Sequence, residues 1–188
     1  MPNNLLITGQ IRSGKSTLLK SMIDPLKSMT GGYFVQRLFV QEETRAFRLV
    51  DIAQESYLPN RHVEDVKAFS DIIMIKGEGS PINYEVFRTI GTSSLRSAGE
   101  KKQLILMDEL GTMETAVPEF KEAVTQALDK DITVLGVLKK KANPFLDQIK
   151  ARPDVLVLDM DYWGPDRVRE EVRKFLAKNH YLEVNNDA

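Results

Sequence analysis

The sequence contains no cysteine and only two histidines, which excludes several kinds of functional site. Without cysteine, the chain has no disulfide framework, no thiolate metal site and no cysteine nucleophile. His62 and His180 each lack a second ligand at metal-binding spacing, so we interpret both as surface residues. Any catalysis must therefore rest on other side chains.

Strong net charge and long apolar runs are also missing. The net charge is −1, so the overall charge attracts the chain neither to nucleic acid nor to an acidic membrane surface. The dense basic run of Lys139, Lys140 and Lys141 is interpreted as a solvated loop. No apolar run is long enough to cross a bilayer, and residues 1–8 lack the basic flank and apolar stretch of a signal peptide. We therefore expect a cytoplasmic protein without membrane contact, and the sequence names no protein partner.

Short apolar segments alternate with amphipathic ones, which predicts a single α/β domain over residues 1–188. Hydrophobic residues make up 42% and charged residues 28% of the chain, a globular balance. Strands are predicted at residues 5–8, 104–107, 133–137 and 155–158, and helices at residues 14–27, 117–128, 144–150 and from Pro165 onward. This alternation indicates a three-layer fold, a mostly parallel sheet with helices on both faces.

A β-hairpin is predicted directly after the first helix. Residues 33–40 form one extended stretch, residues 41–44 a polar turn, and residues 47–52 the return. The following segment, residues 54–83, mixes proline and glycine with one apolar run at residues 72–75. We interpret it as loops that contain one strand.

Residues 9–16 match the Walker A pattern of glycine, four residues, glycine, lysine, and serine or threonine. The glycines allow successive N–H groups to turn inward around phosphate oxygens, and the helix that begins near Gly14 directs its positive end at the same anion. Lys15 is predicted to contact the β- and γ-phosphates, and the Ser16 hydroxyl to bind Mg²⁺. A chance match anywhere in the chain has odds of about one in a hundred. The match also lies between a buried strand and a helix, as this motif requires.

Two acidic residues follow the apolar run at residues 104–107. Asp108 then lies at the carboxyl edge of the sheet, where it can hold Mg²⁺ directly or through water; the alternative is a solvated loop carboxylate. Glu109 can hydrogen-bond a water that attacks the γ-phosphorus, a group that hydrolysing P-loop proteins need. Its alternative role is to cap the next helix. We favour the functional interpretation of both.

Residues 108–114, Asp-Glu-Leu-Gly-Thr-Met-Glu, followed by Phe120, resemble the signature of the thermophilic-type nucleoside-triphosphatase family, which includes the human cancer-related nucleoside-triphosphatase. Residues 32–34 with Arg37 and Phe47 resemble its hairpin, and residues 134–136 and 148–155 match its last third in order and spacing. The resemblance implies a RecA-like P-loop fold and Mg²⁺-dependent hydrolysis of several nucleoside triphosphates with loose base preference. By matching position, it assigns Asp108 and Glu109 to metal and water. It assigns to the phosphates Gly9, Gln10, Ile11, Arg12, Ser13, Gly14, Lys15, Ser16 and Thr17.

The chain departs from that family at three positions. Arg12 stands where the family usually has a third glycine, Thr112 stands where its second motif has lysine, and Arg45 is displaced by one residue. Arg12 either leans over the phosphates or points to solvent. Trp163 either stacks on a base or packs against the protein. Residues that could neutralise phosphate charge are Arg37, Arg45, Arg96 and Lys139.

The predicted function is hydrolysis of ATP, GTP and other nucleoside triphosphates to nucleoside diphosphate and phosphate, with Lys15, Asp108 and Glu109 as catalytic residues and Ser16 and Asp108 as Mg²⁺ ligands. One alternative is a small-molecule kinase, against which Glu109 and the lack of an arginine-rich lid segment argue. The other is a slow nucleotide-dependent switch that contacts a partner through residues 54–83.

Overall fold

A single eight-stranded sheet runs through residues 2–77, 79 and 81–181, the part of the chain that the computed structural model describes. Its strands are β1 (Asn4–Thr8), β2 (Thr30–Val40), β3 (Glu43–Asp51), β4 (Asn60–His62), β5 (Ile72–Ile75), β6 (Leu104–Leu110), β7 (Thr133–Leu138) and β8 (Val155–Asp159). The strand order is β5-β3-β2-β6-β7-β1-β8, and β4 pairs with the outer half of β2. Neighbours from β2 through β6, β7 and β1 to β8 are parallel, which confirms the predicted mostly parallel sheet.

Helices cover both faces of this sheet. They are α1 (Lys15–Ile23), α2 (Tyr84–Val86), α3 (Thr92–Lys101), α4 (Pro118–Asp129), α5 (Pro144–Lys150), α6 (Met160–Trp163) and α7 (Pro165–Lys178). One apolar core packs α3, α4 and α5 against the sheet, and a second packs α1 and α7 against it. The predicted three layers are therefore confirmed. No helix in the described residues is long and apolar enough to cross a membrane.

Helix α1 is shorter than residues 14–27, the range that its apolar spacing predicts. It ends at Ile23, and the chain continues as a 3-10 turn over Asp24–Leu26. Pro25 lacks an N–H and its ring crowds the preceding turn, so the α-helix cannot continue regularly through it. Leu26 is nevertheless buried with the rest of the apolar face.

The predicted hairpin after α1 is confirmed by the antiparallel pairing of β2 with β3. Gln41 and Glu42 form its turn with φ angles of 48° and 65°, the left-handed conformation that two-residue hairpin turns favour. Gly32 has a φ of 104°, and a Cβ there would lie 2.2 Å from the carbonyl oxygen of Leu106. Glycine at this position therefore lets β2 lie against β6.

The segment over residues 54–83 contains the predicted strand, β5, and also β4, whose three residues are all polar and exposed and so give no apolar signal. A buried arginine anchors the segment to the hairpin. Arg48, whose side chain is 3% exposed, pairs with Asp71 at 2.9 Å and also with Glu55. The Gln36 side chain donates a hydrogen bond to the carbonyl of Leu58 at 2.6 Å. These contacts fix the chain on either side of Tyr57.

The helical segment α2–α3, joined by a π-helical turn over Phe87–Gly91, is not predicted by the sequence pattern. Its second part contains threonine, three serines and a glycine, which are weak helix formers. Leu95 and Ala98 nevertheless bury one face of α3 against the sheet. Tertiary packing, rather than intrinsic propensity, therefore stabilises this helix.

Candidate functional site

The loop at residues 9–14 connects β1 to α1 through three residues in unusual backbone conformations. Gly9, Arg12 and Gly14 have φ angles of 142°, 66° and 88°, and Gly14 is the residue directly before α1. Arg12 thus adopts a left-handed conformation that costs a residue with a Cβ about 1–2 kcal/mol. A glycine would adopt this conformation without that cost.

Lys15 folds back over this loop. Its ammonium donates to the carbonyl of Gly9 and to Ser13 Oγ, both at 3.0 Å, and also to the carbonyl of Gln10. Burial lowers the pKa of Lys15, and the negative charges of Asp161 and Glu109 oppose that effect. All three hydrogen-bond acceptors are neutral, so the positive charge of Lys15 remains available to an anion held by the loop.

An aspartate after β8, which the sequence pattern did not single out, holds the start of the loop. The N–H of Gln10 donates to both carboxylate oxygens of Asp161, at 3.0 and 3.1 Å. The pKa of Asp161 is lowered mainly by this hydrogen bond, and next by the hydrogen bond from the Lys140 ammonium. Lys140 also pairs with Asp159 at 2.8 Å. Lys140 lies in an exposed loop, as predicted, and its ammonium bridges Asp159 and Asp161.

Asp108 lies buried at the carboxyl end of β6 and directly contacts the loop helix. Ser16 Oγ donates to Asp108 Oδ1 at 2.9 Å, and the Tyr57 hydroxyl donates to Oδ2 at 2.6 Å. Burial raises the pKa of Asp108 to about 6, and the hydrogen bonds from Tyr57 and Ser16 oppose that rise. The structure therefore brings together the two residues that the sequence predicts as metal ligands, and it adds Tyr57, which sequence reasoning missed.

The oxygens of Ser16 and Asp108 suit a hard cation such as Mg²⁺, which takes oxygen ligands. Ser16 Oγ and Asp108 Oδ1 lie 2.9 Å apart, so both oxygens could face one cation. No group of three or more histidine or acidic side chains in the described residues could hold a metal by itself. A cation held here would therefore need further oxygens, which the phosphates of a nucleotide can supply.

Glu109 occupies a bulge in β6. Its φ is 86°, and the β6–β7 register shifts between Asp108 and Leu110. The Glu109 side chain, 18% exposed, forms an ion pair with Lys139. It does not cap the helical segments that follow, because the 3-10 turn over Glu114–Ala116 and α4 both begin without a side-chain cap hydrogen bond. Non-glycine residues with such backbone angles cluster at functional sites, where the surrounding structure holds them.

The four candidate charge-neutralising residues lie in different places. Arg37 on β2 is half-buried, and its charge contributes to lowering the pKa of both Asp108 and Lys15, so its guanidinium lies near the site. Lys139 contacts Glu109. Arg45 lies beside Glu43 near the hairpin turn, and Arg96 lines a groove between α3 and α4. Of the four candidates, the fold therefore brings Arg37 near Asp108 and Lys139 into contact with Glu109.

Both histidines are exposed, as predicted. His62 pairs with Glu42 at 3.4 Å and stacks on Phe39. Neither histidine takes part in the site.

The loop between β1 and α1 has the Walker A pattern, and the acidic residues lie on β6, which is separated from β1 in the sheet by β7. This arrangement defines a P-loop protein in which one strand lies between the strand before the loop and the strand with the acidic residues. A family model described as NTPase matches residues 4–173. The chain belongs to this family.

Similar proteins cover almost the whole chain. The chain is 28% identical over 176 residues to nucleoside-triphosphatase THEP1 of Thermotoga maritima, covering 93% of this chain and 96% of the relative. It is 29% identical over 184 residues to the protein of the same name from Thermotoga petrophila, covering 97% of each.

Two solved structures share the fold. The solution structure of a human cancer-related nucleoside triphosphatase has a TM-score of 0.68 at 20% identity, covering 93% of this chain and 97% of the other. The crystal structure of THEP1 from Aquifex aeolicus has a TM-score of 0.67 at 20% identity, covering 90% and 96%.

Proposed function

We propose that this protein hydrolyses nucleoside triphosphates to nucleoside diphosphate and phosphate with Mg²⁺. The observation that carries the proposal is the contact of Ser16 with Asp108 beside Lys15, with Glu109 directly following in the strand bulge. Membership of the NTPase family and the names of the relatives support hydrolysis rather than transfer to an acceptor.

Each residue of the site has a distinct role in this proposal. Backbone N–H groups of the loop and the Lys15 ammonium would bind the phosphates. Ser16 and Asp108 would hold Mg²⁺, which when bound neutralises charge on the β- and γ-phosphates. Arg37, near Asp108, adds positive charge on the same side of the site. These groups bind and orient the triphosphate without covalent chemistry of their own.

Glu109 positions the attacking water. The water oxygen bonds to the γ-phosphorus as the bond from that phosphorus to the β–γ bridging oxygen breaks, and the water's proton passes towards the Glu109 carboxylate. In the structure this carboxylate pairs with Lys139. The γ-phosphate competes for the Lys139 ammonium when the triphosphate binds, so Glu109 becomes available to the water.

Phosphate release by the purified protein tests the proposal. Each of ATP, GTP, CTP and UTP is supplied with Mg²⁺, with and without added nucleosides as acceptors, and EDTA serves as the metal-free control. We expect release of one phosphate per triphosphate without any acceptor, and loss of activity in EDTA. Phosphorylation of an added nucleoside would instead support the kinase alternative, and tight binding with negligible turnover would support the switch.

A further inference from the structure

Two large apolar side chains are exposed beside the phosphate loop. Ile11 is 82% and Tyr162 81% exposed, more than the other exposed large apolar residues of the described chain, Leu58 and Tyr84, at 44% and 40%. Single exposed apolar residues are common on protein surfaces. Their chain neighbours are in direct contact, because the N–H of Gln10 donates to both carboxylate oxygens of Asp161 at 3.0 and 3.1 Å. Ile11 and Tyr162 therefore project from two segments that meet at the start of the loop. From this pair we infer that Tyr162, with Ile11 beside it, forms the surface against which the base of the bound nucleotide stacks.

The order of the strands sets the direction of the nucleotide, an argument that rests on the proposed function. Asp108 and Glu109 end β6, the loop follows β1, and α6 with Tyr162 follows β8; along the sheet these strands run β6, β7, β1, β8. The γ-phosphate must face Glu109, on the β6 side of the loop. The nucleoside end of the same molecule therefore extends away from β6, towards β8 and α6. Tyr162 lies on that side.

Tyr162, rather than Trp163, has the free surface that stacking requires. Trp163 packs against the apolar core beside α7, and the Arg167 guanidinium lies 4.1 Å from its ring centre. Of the two roles considered for Trp163, stacking on a base or packing against the protein, the structure shows packing. The rings of Tyr162 and Trp163 meet at 82° with centres 5.5 Å apart, an edge-to-face contact that supports Tyr162 while most of its side chain stays exposed.

Hydrogen bonds and ion pairs fix the chain directly before Tyr162. Asp159 accepts the N–H of Asp161 at 2.9 Å, and Lys140 bridges both carboxylates. An aromatic and an aliphatic side chain can contact the face of any base, and stacking tolerates base identity because every base has a π-face. This surface therefore predicts that purines bind more tightly than pyrimidines, because their rings are larger.

The test compares ligands with and without a base. Dissociation constants of ATP, CTP and inorganic tripolyphosphate are measured for wild type, Tyr162→Ala and Tyr162→Phe, with Tyr84→Ala as a control that removes an exposed tyrosine elsewhere. Loss of one stacked base should weaken ATP binding by about 5- to 100-fold in Tyr162→Ala. Tripolyphosphate binding should not change, and Tyr162→Phe and Tyr84→Ala should bind ATP as wild type does.

Two results would overturn the inference. Unchanged ATP affinity in Tyr162→Ala would mean that the base binds elsewhere. An equal loss for ATP and tripolyphosphate would mean that Tyr162 only supports the phosphate loop through its neighbour Asp161. Both dissociation constants can be interpreted without any turnover. If wild type releases no phosphate, the proposed function is wrong, but the test of Tyr162 still applies.

Discussion

The hydroxyl of Tyr57 donates a 2.6 Å hydrogen bond to Asp108 Oδ2, although the two residues lie 51 positions apart. Burial and the charge of Asp108 raise the pKa of Tyr57 well above its ordinary range, so the phenol remains a protonated donor. The same aspartate accepts from Ser16 through its other oxygen. Tyr57 therefore orients the carboxylate that we propose as a metal ligand, and it does so from the segment over residues 54–83.

Replacing Tyr57 by phenylalanine removes this hydrogen bond and keeps the ring. Groups that orient a metal ligand typically contribute about 10- to 100-fold in metal affinity or activity. We expect Tyr57→Phe to raise the Mg²⁺ concentration for half-maximal phosphate release by about 10-fold or more. Tyr33→Phe is the matched control, because the buried Tyr33 hydroxyl has no hydrogen-bond partner among the described residues. Equal Mg²⁺ dependence in both variants would show that Tyr57 has no role in orienting Asp108.

Lys15→Ala should abolish hydrolysis and weaken triphosphate binding. The substitution removes a charge-assisted contact to the phosphates, and the ammonium already lies over the loop with only neutral acceptors. Phosphate release and equilibrium binding of a non-hydrolysable triphosphate measure the two effects. Lys20→Ala, in the same helix but paired with Asp24, should leave both unchanged. Normal turnover in Lys15→Ala would remove the loop from the proposed mechanism.

Glu109→Gln should lower kcat by about 10²- to 10⁴-fold, the usual contribution of a positioned acid or base. Nucleotide affinity should not fall, because the loop and Asp108 are untouched and the substitution releases Lys139 from its ion pair with Glu109. A parallel fall in kcat and kcat/KM would mark an interaction made only in the transition state. Asp108→Asn is the comparison and should reduce metal-dependent binding as well as turnover. If Glu109→Gln hydrolyses at the wild-type rate, another group must position the water.

Gly32→Ala should destabilise the fold by about 3 kcal/mol or more, because the new Cβ would meet a backbone oxygen of β6 in addition to the strain of a positive φ. Gly77 also has a positive φ, 84°, but a Cβ there meets nothing within 4 Å. Gly77→Ala should therefore cost only about 1–2 kcal/mol of backbone strain. Urea unfolding of the two variants measures the difference. Equal losses would show that β2 can move away from β6 at little cost.

Local patterns in the sequence were sufficient for the loop before α1, the apolar face of α1, the hairpin and the strand that carries Asp108. Each depends on residues within one or two turns or on two adjacent strands. Backbone freedom at glycine and the period of apolar residues act over that range. The parallel direction of β6, β7, β1 and β8 also follows from strand and helix alternation, but their order does not.

The tertiary structure alone decided what surrounds those elements. Tyr57 meets Asp108 across 51 residues, and Gln10 meets Asp161 across 151. The bulge at Glu109 arises from pairing with β7, a strand much later in the chain. Such contacts leave no periodic trace in the sequence, because a hydroxyl or carboxylate is placed by the packing of the elements that carry it. The conformation of the loop was therefore predictable from the sequence, whereas the positions of the groups around it depended on the fold.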